Sequence, residues 1–197
     1  MKVLRALGKM CLWLLMVAVM TALSTVIYLL FPEIPLVPGV EHLKVDFSDI
    51  PALVTTCTVG PVYGVAVEIF KNLIHLFRTT TFGIGELMNI GIGSAIMLSM
   101  WGGCKLFGKL LKKEPYSSSC YYLSAAVTIV ITILVGWLLN AALTPVFYRI
   151  MGFPLTAEAL AAGVWGSTLL NTVKGAITIL PFWPLIRVVR RGVKNTV

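Results

Sequence analysis

The chain has 197 residues, of which 58% are hydrophobic and 12% charged, with a net charge of +8 and a mean hydropathy of +0.92. A soluble domain carries about twice that share of charge, so the composition excludes one and points to a single-domain, polytopic membrane protein. Excess Lys and Arg in such a chain belongs to cytoplasmic loops, which removes nucleic-acid binding as the reason for the charge.

Residues 1–9 are basic, and the run Met10 to Pro32 has no charge and is long enough to span a bilayer. It is expected to stay in the protein as a first helix over 7–31 and not to be cleaved. Ala18 and Ala22, four apart with Thr21 between them, put small residues on one face. Such a face admits another helix at close range or packs within the bundle. Pro32, Pro35, Pro38 and Gly39 rule out a continuous helix and predict a structured loop.

The stretch His42 to Leu53 follows, with Lys44, Asp46, Ser48 and Asp49 forming a polar collar between two apolar runs. Ser48 or Asp49 can cap a helix that has Pro51 in its first turn. The two aspartates read most simply as capping and loop-solvating residues.

Residues 50–77 form either one helix or two short ones broken at Gly60-Pro61 and Gly64. Charge decides between them. With two helices, the amino terminus, the Lys105–Lys113 segment and the Arg187–Lys194 tail share one side. Glu33, Glu41, Asp46, Asp49, Glu86 and Glu158 gather on the other. One helix would place the basic segments on opposite sides, against the tendency of short basic loops to stay inside. The expectation is a six-transmembrane-helix bundle with both termini cytoplasmic and a structured first extracellular loop. Its spans are 7–31, 50–60, 64–77, 84–107, 121–143 and 168–189.

The second and third spans are short for a bilayer, so they should be tilted or shielded by neighbours. Glu68 and Lys71 are three apart on the third and suggest a mutual pair. Glu86 suits the start of the fourth, Asn89 follows it, and Gly91 and Gly93 allow close approach. Pro145 is expected to stop the fifth helix. Thr156 is expected to cap a short interfacial helix to Val164, with a break at Gly166-Ser167 before the last span.

Asn140, Asn171 and Lys174 lie in apolar surroundings roughly one turn or more inside the ends of the last two spans, where they can converge. A lysine at that depth, with no carboxylate on its own helix, is a functional candidate. The competing reading is that Glu68 or a backbone carbonyl neutralises it. Cys11, Cys57, Cys104 and Cys120 form no C-x-x-C pair and read as free thiols. His42 and His75 are isolated, no nucleophile has a base, and no Walker motif occurs, so the chain is expected to be neither an enzyme nor an ATPase.

These residues resemble the riboflavin subfamily of S components, the substrate-binding subunits of energy-coupling factor (ECF) vitamin transporters. The likeness rests on LKVDFSDIPAL at 43–53, GPVYGVAVEIFKN at 60–72, GELMN at 85–89, Asn140 ahead of a proline, and LNTVKG at 170–175. It implies a six-helix bundle with an outward-facing vitamin site and no cofactor of its own. It also implies assembly with a transmembrane coupling subunit and two cytosolic ATPases. By the same likeness, Asn140, Asn171 and Lys174 contact the flavin ring of riboflavin or FMN. Leu43 and Lys44 close over it, and Ala18 and Ala22 dock on the coupling subunit. An asparagine can donate and accept along the polar edge of an isoalloxazine, while lysine donates only. His42, Thr144 and Leu170 depart from the pattern near the proposed pocket, which leaves as alternatives an S component for a different vitamin or heterocycle and a non-transporting membrane scaffold.

Overall fold

The computed structural model describes residues 2–30, 34–35, 44–45, 47–79 and 81–196. Among these residues, seven α-helices carry the fold: α1 (Lys2–Leu30), α2 (Ile50–Thr58), α3 (Pro61–His75), α4 (Ile84–Leu110), α5 (Ser118–Met151), α6 (Ala157–Ile179) and α7 (Trp183–Thr196). Between α1 and α2, strands β1 (Ile34–Pro35) and β2 (Lys44–Val45) pair antiparallel, with Ile34 opposite Val45. Among the described residues, four stretches are long and apolar enough to cross a membrane: Met10–Leu30, Ile84–Leu110, Ser118–Met151 and Ala157–Val193. Large apolar side chains such as Leu15, Phe77, Leu138 and Trp165 are exposed around the outside. Glu68, Lys71, Asn72, Asn171 and Thr178 are buried within. That inversion suits a chain whose surroundings are lipid.

The break at Gly60-Pro61 is present. Gly60 has φ +149°, a conformation that favours glycine, and Pro61 opens α3, where a missing N–H costs nothing. Gly64, in contrast, is no break. It lies inside α3 facing α2, where an added Cβ would come within 2.8 Å of the Ala52 carbonyl oxygen. The glycine therefore sets how closely these two short helices meet.

Nine residues of α2 span only about 14 Å, too little to cross a bilayer. Pro51 through Cys57 are all buried, with α1, α3, α4, α6 and α7 around them. The shielding expected for the second span is complete. On α3, Gly64, Val67, Glu68, Lys71 and Asn72 face inward, while Ile69, Phe70, Leu73 and Ile74 face outward.

Three boundaries differ from expectation. α5 runs through Pro145 and stops at Gly152, whose φ of +70° ends it. One proline removes one backbone donor, and an apolar run on both sides can carry a helix past it. α6 is continuous through Gly166-Ser167, where Ser167 and Thr168 both donate to the Val164 carbonyl, at 2.8 and 3.0 Å. Hydroxyls satisfied within their own helix do not break it. The segment after Thr156 is thus the start of α6, not a separate interfacial helix. Thr156 does cap it, accepting from the Ala159 amide at 3.1 Å. The expected last span, 168–189, is interrupted instead at Leu180–Phe182, a tight turn holding Pro181, and α7 follows.

The core joins Leu53, Val67, Ile96, Met97, Met100, Tyr121 and Ile179 across the helices. Tyr121 donates to the Ile179 carbonyl at 2.8 Å and ties α5 to the end of α6. Trp183 donates to the Tyr116 carbonyl at 3.3 Å, so α7 meets the α4–α5 connection. Arg190 donates to the Cys57 carbonyl, bringing the end of α2 to the same place. Trp13 packs edge-on to Tyr63 with 5.5 Å between centroids. This basic end thus gathers the end of α2, the start of α3 and the start of α5. The opposite end gathers Tyr28, Asp49, His75 and Asn89. Cys11 is exposed, Cys57, Cys104 and Cys120 are buried, and all are free thiols.

Candidate functional site

Opposite the basic end, the collar residue Asp49 enters the bundle. It precedes α2 but makes no side-chain cap bond, so its expected capping role is not the one it plays. Its carboxylate takes two lysines instead. Oδ1 lies 2.5 Å from Lys71 Nζ and Oδ2 lies 2.9 Å from Lys174 Nζ. Ser24 of α1 donates to the Ser48 carbonyl and fixes the backbone just before it.

The network extends both ways from Asp49. Lys71 Nζ is 2.8 Å from Glu68 Oε2, so the expected pair on α3 exists, and both side chains are fully buried. Gly93 makes room for it, since a Cβ there would sit 2.5 Å from Glu68 Oε2. Lys174 Nζ also donates to Asn89 Oδ1 at 2.8 Å, and Asn89 Nδ2 donates to the Tyr28 hydroxyl at 3.1 Å. Tyr28 stacks on His75 with ring centroids 3.9 Å apart. His75 Nδ1 meets Glu86 Oε1 at 2.8 Å, and Thr79 donates to Glu86 Oε2, also at 2.8 Å. Two carboxylates and two ammoniums balance in the buried part. Opposite charges in hydrocarbon need that pairing, because removing either partner strands the other.

Lys174 therefore has a carboxylate partner. It is Asp49 of the first loop, a residue not among the partners expected from the sequence. Sequence reasoning missed Asp49 and Asn89 as its neighbours. A signal was present: Lys71, Lys174 and Glu68 leave one positive charge unmatched within the spans, and Asp49 stands at the start of the most buried helix.

Asn140 and Asn171 stand at the seam of α5 and α6. Asn140 Nδ2 donates to the Gly136 carbonyl at 2.9 Å, and its Oδ1 accepts from Thr144 at 3.3 Å. Asn171 is fully buried against Gly136, where any Cβ would collide with its amide. Neither its Oδ1 nor its Nδ2 has a hydrogen-bond partner among the described residues. A buried amide left this way costs about 1–3 kcal/mol for each unmet group, which marks this side chain as a candidate ligand contact. Lys174 follows one turn along α6 on the same buried face.

Leu43 lies outside the described residues. Lys44 is in β2, and that strand packs against α6, the helix of Asn171 and Lys174. Ala18 and Ala22 are both exposed on α1, away from its packed face of Val17, Thr21, Ser24 and Thr25. Two cavities of about 390 and 430 Å³ lie elsewhere: one beside Tyr116 and Arg187, the other between Trp137 and Leu160.

Residues 13–186 match the model of a protein family described as ECF transporter, substrate-specific component. The riboflavin transporter FmnP of Bacillus subtilis is 30% identical over 176 residues, which is 86% of this chain and 87% of that protein. The riboflavin transporter RibU of Staphylococcus aureus is 31% identical over 88 residues, 45% of this chain and 46% of that protein. A solved S component of a bacterial ECF transporter superposes with a TM-score of 0.68 over 93% of this chain and 96% of its own, at 22% identity.

Proposed function

The chain belongs to the substrate-specific components of ECF transporters, and we propose that within that family it captures riboflavin, or its phosphate FMN, for uptake across the prokaryotic plasma membrane. α1 to α6 make up the six-helix membrane bundle, with α2 a short segment shielded inside it. Both termini lie in the cytoplasm, α7 runs along the cytoplasmic membrane boundary, and the Asp49 network lies toward the outside. The basic end carries Lys105, Lys109, Lys112 and Lys113 with the α7 arginines, which supports that orientation.

Asn171, with Asn140 and Lys174, meets the polar edge of the isoalloxazine ring. The single observation that carries this is the buried Asn171 amide, whose donor and acceptor are both unmet by the described residues. A flavin edge of carbonyls, ring nitrogens and N–H offers both complements. Asp49 and Asn89 hold Lys174 in place beside it. The loop through Leu43 and Lys44 closes over the ligand, supported by the packing of β2 on α6. The exposed Ala18 and Ala22 face of α1 docks on a transmembrane coupling subunit, and two cytosolic ATPases supply the energy. The chain itself does no bond chemistry.

Titrating riboflavin with the detergent-purified protein tests this, with quenching of flavin fluorescence as the readout. Saturable quenching is expected, together with a loss of affinity in Asn171→Leu. Absence of quenching by the unaltered protein would reject flavin as the ligand and favour another heterocycle. Quenching unaffected by Asn171→Leu would reject the site.

A further inference from the structure

We propose that the cavity between the α4–α5 connection and α7 binds the phosphate headgroup of an anionic membrane lipid. It measures about 390 Å³ and is walled by Tyr116 on one side and by Trp183, Arg187, Arg190 and Arg191 on the other. Three guanidiniums face one lining carboxylate, Glu114. Two of the three rest on aromatic rings. Arg190 lies 3.7 Å from the Tyr116 ring centroid, and Arg187 lies 5.2 Å from that of Trp183. Stacking holds a guanidinium plane in position, and a positioned fork of N–H donors matches phosphate oxygens. The Ser117 hydroxyl oxygen at the edge of the cavity is buried and has no hydrogen-bond partner among the described residues.

The surroundings select a lipid over a soluble anion. On α7, Leu185 and Val188 are 44% and 68% exposed, on the same short helix as the arginines. The helix thus offers charge to a headgroup and apolar surface to an acyl chain, the pattern of a helix lying at a membrane boundary. Lys109 in the last turn of α4 and Lys112 and Lys113 on the connection after it are exposed and add to the attraction for an anionic leaflet. A free phosphate would use the guanidiniums and leave the apolar flank idle.

The test is binding of a fluorescent phosphatidylglycerol to the detergent-purified full chain, with unlabelled phosphatidylglycerol, phosphatidylcholine or inorganic phosphate as competitors. Saturable binding displaced by phosphatidylglycerol alone is expected. The double variant Arg187→Ala/Arg191→Ala, both exposed positions, should weaken it roughly tenfold while riboflavin quenching stays unchanged. Equal displacement by phosphatidylcholine would reduce the signal to micelle partitioning and overturn the proposal. Displacement by inorganic phosphate would assign the cavity to a soluble anion and overturn the lipid. Unchanged affinity in the double variant would remove the arginines from the site.

Discussion

The two ends of this bundle handle charge in opposite ways. At one end Asp49, Glu68, Lys71 and Lys174 are buried, balanced and held within 2.5–2.9 Å of one another. At the other, Arg187 and Arg191 are exposed, stand in excess over acids, and line a cavity with Arg190. The first arrangement is internally complete and fragile, because each charge depends on a fixed partner in hydrocarbon. The second is incomplete and robust, because water and headgroups can answer it. Only Arg190 crosses between the styles: it is half-buried, stacked on Tyr116 and bonded to Cys57.

That contrast can be broken most forcefully at Asp49. Asp49→Ala removes the carboxylate that faces both lysines and should cost about 3–5 kcal/mol of stability. Thermal unfolding followed by circular dichroism in detergent would show it as a large drop in Tm. A change within a degree or two would mean that the buried charges do not depend on each other.

Asn171→Leu sharpens the contrast by separating function from fold at the same end. No hydrogen bond to a described residue is lost. Stability should hold or rise, while riboflavin affinity falls by about one to two orders of magnitude. At the basic end, Arg190→Ala should cost about 1–2 kcal/mol, because it strips a cation from the last turn of α2 and from the Tyr116 ring. Riboflavin binding measured on the surviving folded fraction should stay as it was. The smallest effect is expected away from both ends. Ala22→Leu enlarges an exposed position and should shift stability by no more than about 0.5 kcal/mol. It should instead abolish co-purification with the coupling subunit.

Much of the frame was readable in one dimension. Gly60-Pro61 marks where α2 and α3 can part, the sidedness of the basic segments selects that split, and the spacing of Glu68 and Lys71 announces their pair. The break point and the pair are local signals, and local geometry is what a sequence writes plainly. The helix ends near Pro145, Gly166 and Pro181 were misjudged because a breaker residue acts only where its lost bond goes unanswered. Ser167 and Thr168 bond within α6, the apolar run after Pro145 continues α5, and Pro181 alone stops a helix. The pairing of Lys174 with Asp49 joins residues distant in the chain, and only the folded bundle brings them together. Asn171 is legible in the sequence as a buried polar residue, but that no described residue bonds its amide needed coordinates.

The short helix α2 is gripped at both tips. Lys71 and Lys174 hold Asp49 at its start, and Arg190 holds Cys57 at its finish. A rod of about 14 Å, sealed from lipid and pinned at each extremity, cannot slide or tip without dragging both anchors along. A displacement of Lys174 at one end of the bundle is thereby felt by Arg190 at the other.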